Sequence, residues 1–136
     1  MSPSRSSGLE ARYRVLVVDD DDSVRAGLAQ ALELAGYLVR VESNGRAALD
    51  GLDGHDPHLV ILDVVMPEMD GLAFVRELDR RGLRPTLRVL LISANTDGHE
   101  RATELRTDGF LRKPLRLSAL LAEVARILET LSDDGA

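Results

Sequence analysis

The 136-residue chain has no cysteine, no tryptophan and a single lysine, Lys113. Without thiols it can build neither a disulfide framework, nor a thiol nucleophile, nor a Cys-based zinc site. Its longest uninterrupted apolar runs have only about four residues, far short of the roughly 20 that span a bilayer. No basic segment followed by an apolar stretch opens the chain, so no signal peptide is expected. No G-x-G-x-x-G follows the first apolar run, which argues against a dinucleotide-binding domain. Formal net charge is −6, whereas a domain that binds nucleic acid by its own surface usually carries the opposite sign. These absences imply a cytoplasmic protein with no membrane segment and no direct nucleic-acid contact.

What is present fits one domain with a real core. Hydrophobic residues make up 44% of the chain, enough for globular packing, and the length suits a single domain. Four acids are consecutive, Asp19 to Asp22. Of the 17 basic residues, 16 are arginines. Against that bias a retained lysine suggests a place where a compact, rotatable ammonium is needed and a wide planar guanidinium does not fit. A random surface lysine would also satisfy this observation taken alone.

Residues 1–12 are Ser-rich without apolar periodicity and read as a flexible tail. Residues 132–136 read as a second tail, leaving 13–131 as the domain. Within it, Val15-Leu16-Val17-Val18, Leu59-Val60-Ile61-Leu62 and Val89-Leu90-Leu91-Ile92 are short continuous apolar runs, the mark of strands buried on both faces. Residues 37–41 and Phe110-Leu111 add two strands. Helical spacing falls between them. Val24, Leu28 and Leu32 follow a cap in the 21–23 region and stop at Gly36. Ser43-Asn44 can cap a helix with Ala47, Ala48 and Leu52. Residues 72–78 and 99–106 allow two more helices. Leu117, Leu120, Leu121, Val124, Leu128 and Leu131 share one face of the last. Five βα units imply an α/β fold, a doubly wound parallel sheet with helices on both faces. Its site is expected at the carboxyl ends of the strands.

Those ends are polar. Strand one runs into Asp19-Asp20, strand three into Asp63, strand four into Ser93, strand five into Lys113-Pro114. Three converging carboxylates repel unless a cation joins them, and a few hard oxygen ligands suit Mg²⁺. A carboxylate can itself be a nucleophile and form an aspartyl phosphate. A lysine ammonium, a hydroxyl and Mg²⁺ are suited to the charge of a transferring phosphoryl group.

VLVVDDDDSVR, VILDVVMPEMDGL, VLLISA and GFLRKPL occur in that order. With these motifs the chain resembles the receiver domains of bacterial two-component response regulators over about residues 13–131. Each motif alone is weak and the ordered set is specific. The resemblance implies the CheY-like fold, strand order 2-1-3-4-5. It implies Asp63 as phosphoacceptor and Mg²⁺ held by Asp19, Asp20, Asp63 and the backbone carbonyl of Val65. It implies Ser93 as the switch hydroxyl, Lys113 as partner of a phosphoryl oxygen and Phe110 as an aromatic that rotates when Ser93 moves. The donor would be a phosphohistidine on a sensor histidine kinase or phosphotransfer protein. Output would be a protein contact, including a phosphorylation-dependent dimer, and the domain would not be a turnover enzyme.

Plainer readings exist for several of these residues. Asp21 or Asp22 serves as a helix cap and complements the helix dipole. Phe110, an aromatic at a strand edge, fits core packing as well as switching. His55, His58 and His99 lack ligand spacing and read as loop residues; Met66 and Pro67 shape a loop. From Ser93 to Lys113 is 20 positions, about two fewer than the family pattern, so the helix at 99–106 or its flanking loop is expected to be short. In the family the positions two beyond the phosphoacceptor and two beyond the switch hydroxyl, here Val65 and Asn95, influence phosphoryl loss. An apolar Val65 cannot place an attacking water, which predicts slow to moderate self-dephosphorylation. A Mg²⁺-dependent phosphatase with an Asp nucleophile would need an acid at position 65. A non-phosphorylated interaction module would lack pocket residues, and none is missing.

Overall fold

The computed structural model describes residues 13–66 and 68–135, with side chains through residue 131. The expectations for residues 1–12 and Pro67 lie outside the described residues. Five strands form one sheet: β1 (Arg14–Val18), β2 (Leu38–Glu42), β3 (Leu59–Asp63), β4 (Arg88–Ser93) and β5 (Gly109–Arg112). All neighbours are parallel, in the order β2-β1-β3-β4-β5. The helices are α1 (Asp22–Leu34), α2 (Gly45–Asp50), α3 (Leu52–His55), α4 (Gly71–Arg80), α5 (Gly98–Leu105) and α6 (Leu117–Gly135).

The central strands carry continuous apolar runs, Val15 to Val18, Leu59 to Leu62 and Val89 to Ile92, because helices cover both faces. Alternate residues then feed two cores. Leu16, Val18, Val60, Leu62, Val89 and Leu91 pack with Leu49 of α2, Phe74 and Leu78 of α4 and Ala102 of α5. Val15, Val17, Leu59, Ile61, Leu90 and Ile92 pack with Leu28 and Leu32 of α1 and with Leu120, Val124, Ile127 and Leu128 of α6. Truncating a fully buried ring such as Phe74 to alanine would cost about 3–5 kcal/mol. Three helix starts on the site side carry side-chain caps. Asp21 accepts from the amide of Val24 at 3.0 Å, Asn44 from Ala47 at 2.8 Å and Asp70 from Ala73 at 2.8 Å. Each is worth about 1 kcal/mol.

Several boundaries differ from the sequence expectation. β2 lies at Leu38–Glu42, one residue later than 37–41. It is the edge strand and largely exposed, so burial does not mark its ends. The helix capped by Asn44 breaks at Gly51, and Leu52 starts the separate short α3. α6 runs on to Gly135, where a tail was expected from residue 132. Leu117, expected on the buried face of α6, is 49% exposed, while Ile127 is buried. α5 ends at Leu105, and Arg106 to Asp108 alone join it to β5. The segment between β4 and β5 thus holds an eight-residue helix and a three-residue connection.

Candidate functional site

The carboxyl edge of the sheet gathers the expected side chains. Asp19 follows β1, and its amide still donates to the Glu42 carbonyl at 3.2 Å, which holds it against the sheet. Asp63 is the last residue of β3 and Ser93 the last of β4. Lys113 follows β5, and its amide donates to the Ser93 carbonyl at 3.0 Å. The Lys113–Pro114 bond is cis. Each side chain is thus delivered where an apolar run stops at the sheet edge.

Asp19 is fully buried, Asp63 nearly so, and Asp20 is exposed. One carboxylate oxygen from each of the three lies within 4.8 Å of the others. Lys113 Nζ donates to Asp63 Oδ2 at 3.1 Å and lies 2.9 Å from Asp19 Oδ2. The second contact is an ion pair without hydrogen-bond geometry, so buried Asp19 Oδ2 has no hydrogen-bond partner among the described residues. Asp19 Oδ1 accepts from the Asp21 amide at 2.9 Å, and Arg25 donates to the Asp19 carbonyl at 2.8 Å. Asp63 Oδ1 accepts from the Val65 amide at 3.4 Å. Asp21 caps α1, as the plainer reading expected, and Asp22 in its first turn pairs with Arg25.

Burial pushes the Asp63 carboxyl above the usual carboxylate range; the Lys113 hydrogen bond opposes this and the charge of Asp19 adds to it. For Lys113, burial acts to lower its pKa, but contacts with Asp19 and Asp63 outweigh it and raise the value above that of a free lysine. Three acids against one ammonium leave the cluster net negative. Together with the close approach of the three carboxylates, this fits a hard divalent cation with oxygen ligands. Asp19, Asp20 and Asp63 supply the carboxylates for it.

Ser93 is buried and its Oγ accepts from the Asn95 amide at 2.9 Å. Phe110, on β5, is half-buried, with its ring edge-on to His99 at 5.8 Å. It packs on the α2/α4/α5 core. Ser93 ends the strand next to Asp63, and the backbone of Gly98 stands close to both Ser93 and Phe110. Val65, in the loop after Asp63, is 57% exposed. Next to Lys113 an apolar groove of about 450 Å³ runs past Ala94, Val24 and Gly27 to Leu117.

Two glycines at this edge were not singled out in the sequence. A Cβ at Gly71 would stand 2.4 Å from the Asp63 carbonyl oxygen. Glycine there lets α4 start directly against the end of β3. Gly98 allows a similar approach at the start of α5. Neither has positive φ. The available signal was a poor helix former placed at a helix start without a turn that needs it.

The family model of the response regulator receiver domain matches residues 15–125. The chain is 41% identical over 126 residues to the response regulator MprA of Mycolicibacterium vanbaalenii, covering 90% of this chain and 54% of that protein. It therefore spans about half the length of the curated relatives it matches. Among solved structures, it resembles the chemotaxis response regulator CheY4 of Vibrio cholerae at 29% identity and a TM-score of 0.78, covering 85% of this chain and 98% of that one. A two-component response regulator/GGDEF domain protein matches at 31% identity and a TM-score of 0.86, covering 91% of this chain and 52% of that one. The sheet order, the acidic edge with its lysine and these likenesses agree: the chain belongs to the receiver domain family of response regulators.

Proposed function

We propose that this receiver domain is a phosphoaspartate switch in which Asp63 is the acceptor. The observation that supports it most is the position of Lys113 Nζ between Asp63 and Asp19. A half-buried ammonium there neutralises charge that would otherwise gather on the acceptor. In transfer, an Asp63 carboxylate oxygen attacks phosphorus while the bond from phosphorus to the donor's imidazole nitrogen breaks, its electron pair staying with that nitrogen. Asp19, Asp20, Asp63 and the Val65 carbonyl would hold Mg²⁺, which when bound neutralises the charge on the phosphoryl oxygens. Lys113 pairs with one phosphoryl oxygen. The Ser93 hydroxyl, now serving only as acceptor to the Asn95 amide, turns its proton toward another.

The donor is a phosphohistidine on a sensor kinase or phosphotransfer protein. We assign the apolar groove beside Lys113 to contact with that protein, because Lys113, which lines it, also contacts Asp63. Output is a protein contact, including a phosphorylation-dependent dimer, reached by a shift between two pre-existing surface states. The domain works in the cytoplasm; no described helix is long and apolar enough to cross a membrane. It is not a turnover enzyme: Val65 stands where a phosphatase of this architecture would need its second acid.

The test is incubation with Mg²⁺ and acetyl phosphate, followed by intact mass. One added phosphoryl group is expected for wild type and none for Asp63→Asn. An adduct that survives Asp63→Asn, or steady turnover of a phosphate ester, would refute the reading.

A further inference from the structure

Gly98 is buried where three elements meet: the end of β4, β5 and the start of α5. A Cβ built there would stand 2.8 and 2.9 Å from Cε1 and Cζ of Phe110 and 2.9 Å from Cβ of Ser93. Real contacts do not come that close, so any side chain at 98 must displace the ring, the serine or the helix start. Gly98 does not have the positive φ that would call for glycine on backbone grounds. What the position needs is space.

The two ends of α5 are held unequally. At the carboxyl end, Arg84 donates to the Arg106 carbonyl. Thr107 Oγ1 donates to the carbonyls of Ala102 at 3.3 Å and Gly109 at 3.2 Å. Asp108 exchanges two bonds with Val89, its amide donating at 2.8 Å and its carboxylate accepting at 2.7 Å. At the amino end, Asp97 makes no side-chain cap bond. What holds that end is the Gly98 amide on the Asn95 carbonyl at 3.3 Å, the Arg101 amide on the Asp97 carbonyl at 3.1 Å and the exposed Arg101 Nε on Asp97 Oδ2 at 3.4 Å. The amide of Asn95 in turn donates to Ser93 Oγ. The weakly held end of α5 therefore rests on the side chain that the proposed switch moves.

We infer that Gly98 is a positioning residue that couples Ser93 to Phe110 and to the start of α5. This rests on the reading of Asp63 as phosphoacceptor. With no side chain at 98, Ser93, Phe110 and the helix start share one small space. Displacement of Ser93 toward a phosphoryl group opens room that the ring and the helix start take up, while the Arg84 and Asp108 bonds keep the far end fixed. A methyl group at 98 fills that room permanently and fixes Phe110 in one position whatever Ser93 does. Gly98 touches no reacting atom, so phosphoryl acceptance itself does not require it.

The ring signals of phenylalanine report this directly, because the chain has two phenylalanines, Phe74 in the core and Phe110. Ring-labelled full chain is recorded with Mg²⁺, then with Mg²⁺ and beryllium fluoride as a stable phosphoryl mimic. In wild type the Phe110 signals shift on adding the mimic and those of Phe74 stay. In Gly98→Ala the Phe110 signals are expected to be displaced before addition, and the induced shift to be lost, while acetyl phosphate still modifies Asp63 to the wild-type extent. Wild-type Phe110 shifts in both states of Gly98→Ala would overturn the coupling. If Gly98→Ala does not fold, Phe110→Leu and Gly98→Ala/Phe110→Leu are compared by amide exchange of α5. Removing the ring should let the double variant fold, and a double variant that still does not fold overturns the inference. A wild type with no Asp63 adduct would instead remove the proposed function on which the inference rests.

Discussion

Lys113 Nζ donates to Asp63 Oδ2 at 3.1 Å across 50 residues of sequence. The same ammonium lies 2.9 Å from the buried Asp19. One compact cation thus serves two carboxylates from two strands. A planar guanidinium is wider than an ammonium and presents its donors in a fixed fork. Lys113→Met should slow phosphorylation of Asp63 by roughly 100-fold, the usual effect of losing one charge-stabilising donor. Lys113→Arg should behave more like Met than like wild type. Rates with acetyl phosphate decide this; a fully active Lys113→Arg would contradict it.

The raised pKa of Asp63 carries a stability consequence. A carboxyl whose folded pKa lies above its unfolded value of 3.8 weakens the fold when both states are ionised. The penalty is complete above the folded pKa, shrinks as pH falls through it, and is gone below 3.8. Asp63→Asn should therefore melt at a higher temperature than wild type at neutral pH without Mg²⁺. The difference should fade on acidification. Thermal melts across pH, with EDTA present, measure it.

Asp20 is exposed and belongs to the acidic cluster. Asp20→Asn should leave the metal-free melting temperature near that of wild type and weaken Mg²⁺ binding. Saturating the wild type with Mg²⁺ at 100 times its Kd would add about 2.7 kcal/mol of stability. Asp20→Asn should show a clearly smaller Mg²⁺-induced rise at the same concentration. Paired melts with and without Mg²⁺ give the comparison.

Val65 is exposed beside the acceptor and cannot orient a water. The phosphoryl group on wild type should persist for minutes or longer, and Val65→Glu should speed its loss by roughly tenfold or more. A wild-type half-life of seconds would contradict this. Decay of the intact-mass adduct after removing phosphodonor is the measurement.

Much of this architecture was legible in the sequence. Val15 to Val18, Leu59 to Leu62 and Val89 to Ile92 are apolar without interruption because helices cover both faces. Each run stops at a polar residue where the sheet ends, which placed Asp19, Asp63 and Ser93. Edge features were less legible. β2 is exposed at Leu38 and Val41, so no pattern of burial fixes its register. The break in the helix after Asn44 falls at Gly51, which caps α2, and α6 continues past Leu131 to Gly135. The roles of Gly71 and Gly98 were not legible because what they provide is room for a neighbour on another element. For Gly98 that neighbour is Phe110, whose dual reading as core or switch therefore could not be resolved from local sequence. The clamp of Arg84 and Asp108 on the α5–β5 connection likewise joins residues from separate elements.

The central claim is that Asp63, and no other acid of the cluster, carries the phosphoryl group. Reduction of the acetyl-phosphate-treated protein with borohydride converts an aspartyl phosphate to homoserine, and peptide sequencing by mass then locates it. Homoserine at position 63, dependent on Mg²⁺, is the predicted result. Homoserine at position 19 or 20, or none under conditions where Mg²⁺ is bound, would contradict the account.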